Sequence, residues 1–176
     1  MKNVILILPV LTLLTAVSLA GCANTIGALE GEKYNTSRNY AASFDRTWEA
    51  VVHVMQGYPV NKIDKASGLI ITDWIDGTSD VYYVKEMGQR KMLKDRTRFN
   101  IKVSALSNGG SRVTVNQDVK INAPITDVHA PGGPTATYEW QDVSDIKDLP
   151  TVTSSKREQE ILDAVESKLK QRFISP

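Results

Sequence analysis

The sequence predicts one α+β domain, in which an antiparallel sheet of four to six strands carries two helices packed on one face. Two patterns indicate this class. Apolar and polar residues alternate through 98–105 and 112–121, on either side of an Asn108-Gly109 turn, which is typical of a hairpin with one solvated face. Apolar residues at helical spacing occur in 44–55 and again near the C-terminal end.

The first helix is predicted to begin at Phe44, with Ser43 as its N-cap. Gly57 and Pro59 mark its end. His53 falls off the apolar face and is expected to be exposed to solvent. The apolar face consists of Phe44, Trp48, Val51, Val52 and Met55.

A hairpin is predicted between residues 60–63 and 69–75, because two β-rich runs flank a polar turn that contains glycine. The last helix is predicted to begin with a capping box formed by Ser155 and Glu158. Its apolar stripe consists of Ile161, Leu162, Val165, Leu169 and Phe173.

Residues 1–21 are predicted to be a signal peptide, since Lys2 precedes an apolar run that is too short to span a membrane. The exit sequence Leu19-Ala20-Gly21-Cys22 resembles the lipobox of bacterial lipoproteins, although an ordinary signal peptide followed by a chance cysteine is the alternative. The resemblance implies a covalent diacylglycerol and fatty acid on Cys22, which would anchor the chain to a membrane. The next residue is Ala23 and not the Asp that resembles a retention signal in enteric bacteria, so the resemblance implies sorting to the outer membrane.

Residues 22–37 are predicted to form a flexible tether, and residues 38–176 a single domain. Residues 123–153 are expected to form a long, proline-rich loop, with a short strand at 138–140. Tyr138 and Trp140 in this loop are candidate partner-binding residues, because aromatic side chains dominate protein interfaces. The loop could equally fold back as a lid on the sheet.

A basic strip that extends from residue 90 into the predicted strand 98–105 is the second candidate surface. It fits a docking strip for an acidic partner or a glycan, with Arg90, Lys91 and Lys94 as its leading residues. The alternative is a solvated edge strand that is protected by its charges. The strip consists of Arg90, Lys91, Lys94, Arg96, Arg98 and Lys102.

The composition argues against several classes of protein. The 21 Lys and Arg balance 20 Asp and Glu, so nucleic-acid binding is not expected. One cysteine and two histidines, His53 and His129, provide no catalytic triad, disulfide or zinc site, so neither an enzyme nor a metal cofactor is expected. Solvated or capping roles are expected for the carboxylates Asp73, Asp76, Asp142, Asp145 and Asp148, rather than a glycosidase pair.

Several motifs resemble the helix-grip repeats of BamC (NlpB), a lipoprotein of the outer-membrane β-barrel assembly machine. They are Phe44-Asp45-Arg46-Thr47-Trp48, Tyr58-Pro59-Val60, residues 64–70, Thr72-Asp73-Trp74, and the strands 98–103 and 113–115. The resemblance implies a helix-grip-like fold and a periplasm-facing accessory role. BamC has two such domains and an N-terminal docking segment, which this chain lacks, so no binding residues are carried over.

The sequence therefore predicts a non-catalytic, lipid-anchored outer-membrane protein that acts as an accessory or scaffold subunit in envelope assembly. β-Barrel assembly is one candidate process, and the resemblance does not extend to membership of that machine. An accessory subunit of a secretion, pilus or motility complex is an alternative. A carrier of a lipid or another apolar ligand is a further alternative, with Trp48, Met55, Trp74 and Gln117 lining its cleft. Gln117 falls in the apolar register of its strand. A core Gln bonded to the backbone, or a Gln near the end of the sheet, is favoured over a pocket group.

Overall fold

The computed structural model describes residues 25–127, 135–152 and 154–171. The predicted signal peptide, Cys22, His129 and Phe173 lie outside the described residues. Within those ranges, eight strands and two α-helices follow one another along the chain. They are β1 (Thr25–Ala28), β2 (Ser37–Tyr40), α1 (Phe44–Met55), β3 (Val60–Asp64), β4 (Leu69–Thr72), β5 (Ile75–Glu86), β6 (Gln89–Ala105), β7 (Ser111–Asp127), β8 (Thr135–Asp142) and α2 (Lys156–Gln171).

Two long strands, β6 and β7, form the centre of the antiparallel sheet, and each has 17 residues. They pair with each other from Asp95 opposite Ile121 to Ala105 opposite Ser111. On its other edge β6 pairs with β4 and β5, while β7 pairs with β2 and β8. β3 pairs with β4, and β1 pairs with β5.

The sheet forks beyond the Asp95–Ile121 pair. Residues 89–92 of β6 pair with β5, and residues 122–127 of β7 pair with β8. We call β1, β5 and residues 89–94 of β6 the first arm, and residues 122–127 of β7 with β8 the second arm. A strand cluster of buried side chains includes residues of both arms. Its members are Val81, Tyr82, Val84, Leu93, Ile121, Ala123 and Val143, the last from a short 3-10 turn at Val143–Asp145.

Both helices pack on one face of the unforked half of the sheet, as the sequence predicts. Ser43 caps α1 by accepting a hydrogen bond from the Arg46 amide at 3.5 Å. The apolar stripes of both helices are buried against odd-numbered residues of β6 and β7, such as Ile101 and Val115, because strand side chains alternate between faces. This helix cluster includes Trp48, Val51, Met55, Ile161, Leu162, Val165 and Leu169.

The predicted α+β class is confirmed, with eight strands instead of four to six. The additional strands are β1, which was not predicted, and β8, which contains the short strand predicted at 138–140. β1 lies in the range predicted as a flexible tether, which is therefore wrong for residues 25–37. Thr25–Ala28 pairs with β5, the Leu29 amide donates to the Val81 carbonyl at 2.7 Å, and the Ser155 amide donates to the Glu32 carbonyl at 2.8 Å.

The range predicted as a long loop, residues 123–153, contains the end of β7 and all of β8. The two strands pair from Lys120 opposite Asp142 to Asp127 opposite Thr135. The short strand predicted at 138–140 is confirmed and is longer than expected. Among the described residues of this range, those after the 3-10 turn form no helix or strand, and Leu149 and Val152 pack against the strand cluster.

The predicted capping box at the start of α2 does not form. The Ser155 hydroxyl accepts a hydrogen bond from the Tyr34 amide and donates to the Tyr34 carbonyl at 3.1 Å. Glu158 is buried, with 4% of its surface exposed. Ser155 therefore ties the N-terminal segment to the helix start, a contact that depends on residues 121 positions away. His53 is exposed, as predicted.

Candidate functional site

The outer face of the sheet, opposite the helices, carries a tryptophan stacked on an arginine. Even-numbered residues in the paired part of β6 point to this face, because the odd-numbered ones fill the helix cluster. The Arg96 guanidinium lies 4.1 Å from the centre of the Trp140 ring. Its Nε is 2.6 Å from Asp76 Oδ1. The stack and the ion pair together hold the Trp140 ring against β6.

A second tryptophan occupies the same face one step further along the sheet. The Arg98 guanidinium is 4.9 Å and the Lys120 ammonium 5.4 Å from the centre of the Trp74 ring. Arg98 donates two hydrogen bonds to Asp118 Oδ2, at 2.8 and 3.1 Å. Cation–π contacts of this kind contribute about 0.5–1 kcal/mol each at exposed sites.

Lys94 adds an exposed cation beside these stacks, without an ion pair among the described residues. It lines a shallow groove together with Trp140 and Asp76. We call this surface the outer patch, which consists of Trp74, Lys94, Arg96, Arg98, Lys120 and Trp140. Lys102 lies elsewhere, since its ammonium donates to the Ser67 carbonyl in the β3–β4 turn.

The other predicted residues meet where the two arms approach each other. Tyr138 Oη donates to Glu86 Oε1 at 3.1 Å, and Lys91 Nζ lies 3.5 Å from Glu86 Oε2. Arg90 stacks at 5.0 Å over the Tyr83 ring. Burial, together with the Glu86 carboxylate, raises the pKa of Tyr138, so the phenol remains the hydrogen-bond donor at neutral pH.

The structure thus joins two surfaces that the sequence separates. The basic strip on β6 contacts the aromatic residues of β8 through Arg96–Trp140 and through the Glu86 bridge to Tyr138. Trp74 was missed as a member of this surface. The feature that could have indicated Trp74 is the pair of cations that contact its ring, Arg98 on β6 and Lys120 on β7. These two residues can be recognised as neighbours only when the register between β6 and β7 is known.

On the inner face, a layer of buried polar groups separates the helix cluster from the strand cluster. Arg157 on α2 reaches Asp95 Oδ2 at 2.9 Å and donates to the Thr78 carbonyl at 3.1 Å. Burial raises the pKa of Asp95, although Arg157 opposes this shift. Gln117 donates to the Ser154 carbonyl, which confirms the predicted backbone hydrogen bond.

Glu158 belongs to the same layer. Burial raises its pKa from 4.5 to about 7. Among the described residues, Glu158 Oε2, Asp95 Oδ1 and Ser154 Oγ are buried without a hydrogen-bond partner. Such groups destabilise a charged state, so the layer favours a protonated Glu158.

Two of the four residues that the sequence suggested for an apolar cleft line a common cavity, and the other two lie in the helix cluster. Trp48 and Met55 are buried in the helix cluster, with 5% and 1% of their surfaces exposed. Trp74 and Gln117 both line a cavity whose wall also contains charged side chains, among them Asp95, Arg98 and Arg157. The charged side chains make this cavity more polar than the apolar cleft that the sequence suggested.

Three of the carboxylates considered for catalysis, Asp73, Asp76 and Asp142, have hydrogen-bond or ion-pair partners in the structure. Asp73 Oδ1 accepts a hydrogen bond from Asn61 at 2.8 Å, and Asp142 lies 3.4 Å from Lys120. Within the described ranges, no group of three or more His, Cys, Asp or Glu side chains is placed to hold a metal ion. None of the helices described here combines the length and apolar character that crossing a bilayer requires.

Comparison with known proteins gives no assignment: no protein-family model matches the chain, and no significant match is found among curated proteins.

Proposed function

We propose that this protein is a non-catalytic, lipid-anchored scaffold of the bacterial outer membrane that binds an envelope protein through the outer patch. The stacked pair Arg96–Trp140, with Lys94 beside it, is the observation that carries this proposal. Tryptophan, tyrosine and arginine are the residue types that contribute most to protein–protein binding energy. The exposed Lys94 favours a partner with acidic side chains.

The anchor of the proposed scaffold is a diacylglycerol on Cys22, as the sequence Leu19-Ala20-Gly21-Cys22 implies. Two or more fatty-acid chains would hold the chain stably to a membrane. The outer membrane and a periplasm-facing domain are part of the proposal, as is a role in β-barrel assembly, which rests on the resemblance of several motifs to BamC.

The outer patch is built from rigid elements, which suits recognition of another protein. Trp140 and Trp74 lie on or beside paired strands, and ion pairs hold the arginine that stacks on each of them. A partner would therefore meet preordered side chains and lose little conformational entropy on binding. The acidic groups Asp76 and Asp118 orient the cations without covering the exposed Lys94.

In-cell crosslinking of a C-terminally tagged chain, followed by mass spectrometry of the membrane fraction, tests this proposal. The double substitution Lys94→Glu with Trp140→Ala should reduce recovery of the crosslinked partner at least tenfold, because it removes one cation and the central ring. A matched control, Lys62→Glu with Ile63→Ala, makes the same charge change and removes another exposed apolar side chain. The control should retain the partner.

Recovery of barrel-assembly components would support the proposed process. Recovery of a secretion, pilus or motility complex would keep the scaffold and replace that process. Equal recovery with both double variants would overturn the outer patch as the binding surface. Native mass spectrometry showing a co-purified lipid in the absence of any protein partner would favour the carrier instead.

A further inference from the structure

The tip of the first arm presents a fully exposed apolar side chain. Met87 lies in the turn between β5 and β6 and is 100% exposed. Its φ is 50° and that of Gly88 is 80°, the geometry of a two-residue hairpin turn that favours Asn, Asp or Gly. The methionine side chain is therefore not buried in either apolar cluster, and methionine is not a residue that this turn favours.

Cations surround this methionine. Lys85, Arg90 and Lys91 are all exposed at the base of the turn. Glu86 is the one acidic residue between positions 85 and 91, and Lys91 and the Tyr138 hydroxyl both contact it. The tip thus combines an apolar end with a net positive collar, the pattern of an element that rests on an anionic lipid surface.

The path of the chain brings the predicted anchor to the same place. Thr25, the first residue of β1, pairs with Lys85, and β1 runs antiparallel to β5, so the chain enters β1 from the side of the tip. Three peptide links of about 3.8 Å keep the Cα of Cys22 within about 11 Å of that of Thr25. A lipidated Cys22 would therefore hold the tip next to the bilayer, whatever path residues 22–24 take.

We propose that the tip of the first arm is a second membrane contact, in which Met87 enters the headgroup region and Lys85, Arg90 and Lys91 bind anionic phospholipids. This inference rests on the proposed anchor at Cys22. It assigns Arg90 and Lys91 to the lipid surface, and it leaves the outer patch free for a protein partner. The domain would then stand end-on at the membrane, with the helices furthest from it.

Electron paramagnetic resonance of the lipidated protein tests this contact. Because Cys22 is the chain's only cysteine and its sulfur would carry lipid, Met87→Cys would introduce a single free thiol for a nitroxide label. The protein is placed in vesicles of phosphatidylethanolamine and phosphatidylglycerol. Asn108→Cys, in the turn at the other end of β6, is the matched control.

The label at position 87 should collide more often with oxygen, which concentrates in lipid, and several-fold less often with a water-soluble nickel complex than the label at position 108. Replacing Lys85, Arg90 and Lys91 by Gln should reduce the difference between positions 87 and 108 in their collision frequencies with oxygen and with the nickel complex. Equal, water-like accessibility at both positions, in protein whose intact mass includes the diacylglycerol, would overturn the contact and leave the anchor in place. An intact mass without lipid would instead overturn the anchor, and with it the basis of this inference.

Discussion

Glu158 shows how one buried carboxyl can set the pH dependence of the whole fold. Its pKa is about 7 in the folded protein because burial disfavours the charged form, against 4.5 for an exposed glutamate. Between these two values the folded state holds a proton that the unfolded chain has released. The free energy of unfolding therefore falls as the pH rises through this window. Below pH 4.5, where Glu158 is protonated in both states, this group causes no loss of stability.

We expect the free energy of unfolding to fall by about 3 kcal/mol between pH 4.5 and pH 8 through this group. Glu158→Gln should remove most of the fall, because the amide has the same shape and no charge to bury. Urea titrations at intervals of half a pH unit measure the effect. A fall of the same size in both proteins would contradict this explanation. Asp95, whose pKa burial also raises, contributes a slope of the same sign in both proteins.

At the scale of single elements, Gly68 and Gly88 show two different reasons for a glycine in a turn: a backbone conformation with positive φ, and close packing against a neighbouring strand. Gly68 ends the turn between β3 and β4 with φ of 67°, and a Cβ there would lie 2.2 Å from the Val103 carbonyl oxygen. Gly88 has a φ of 80°, but a Cβ there would meet no atom within 4 Å. Both positions favour glycine, yet only the first needs its lack of a side chain for contact with β6.

Gly88→Ala should therefore lower the free energy of unfolding by about 1 kcal/mol, the cost of a left-handed residue. Gly68→Ala should lower it by about 3 kcal/mol, since the added methyl group also displaces the β3–β4 hairpin from β6. Chemical denaturation followed by far-UV circular dichroism compares the two variants. Equal losses would mean that the hairpin moves aside without strain.

The sequence reveals those elements whose pattern is local. The stripes of α1 and α2 and the alternation in β6 and β7 are long enough for their periods to be recognised. β1 has four residues, Thr25–Ala28, and its pairing with β5 depends on a strand some 60 positions away, so no local pattern marks it. The capping box failed for the same reason, because Tyr34 competes for the Ser155 hydroxyl.

The candidate site was predictable in its residue types and not in its assembly. Tyr138, Trp140 and the basic strip stand out in the sequence as exposed aromatic and charged residues. Their union depends on the register in which Lys120 faces both Arg96 on β6 and Asp142 on β8, and register follows from packing of the whole sheet. Trp74 enters the patch through that same register.

At the scale of the whole molecule, two apolar clusters share the same two strands. Ile161 lies in the helix cluster and Ile121 in the strand cluster, and both are almost fully buried. Because β6 and β7 each contribute side chains to both clusters, the opening of one cluster removes strand pairing that supports the other. We expect the helices and the arms to unfold together.

Ile161→Ala and Ile121→Ala should each lower the free energy of unfolding by about 2–5 kcal/mol, as cavities in well-packed cores do. In both variants, hydrogen exchange of α2 and of β8 should become faster by the same factor. Faster exchange confined to β8 in the Ile121→Ala protein would show instead that the arms open on their own.

Because of where the three tryptophans lie, tryptophan fluorescence can report separately on the helix cluster and on the outer patch. Trp48, a residue of α1, is buried in the helix cluster, whereas Trp74 and Trp140 lie beside cations on the outer face. Iodide, attracted by those cations, would quench the emission of the outer pair and spare the inner one. A partner that covers the outer patch would protect the emission of Trp74 and Trp140 from quenching and leave the blue-shifted emission of Trp48 unchanged. Unfolding would instead shift the emission of all three tryptophans to the red.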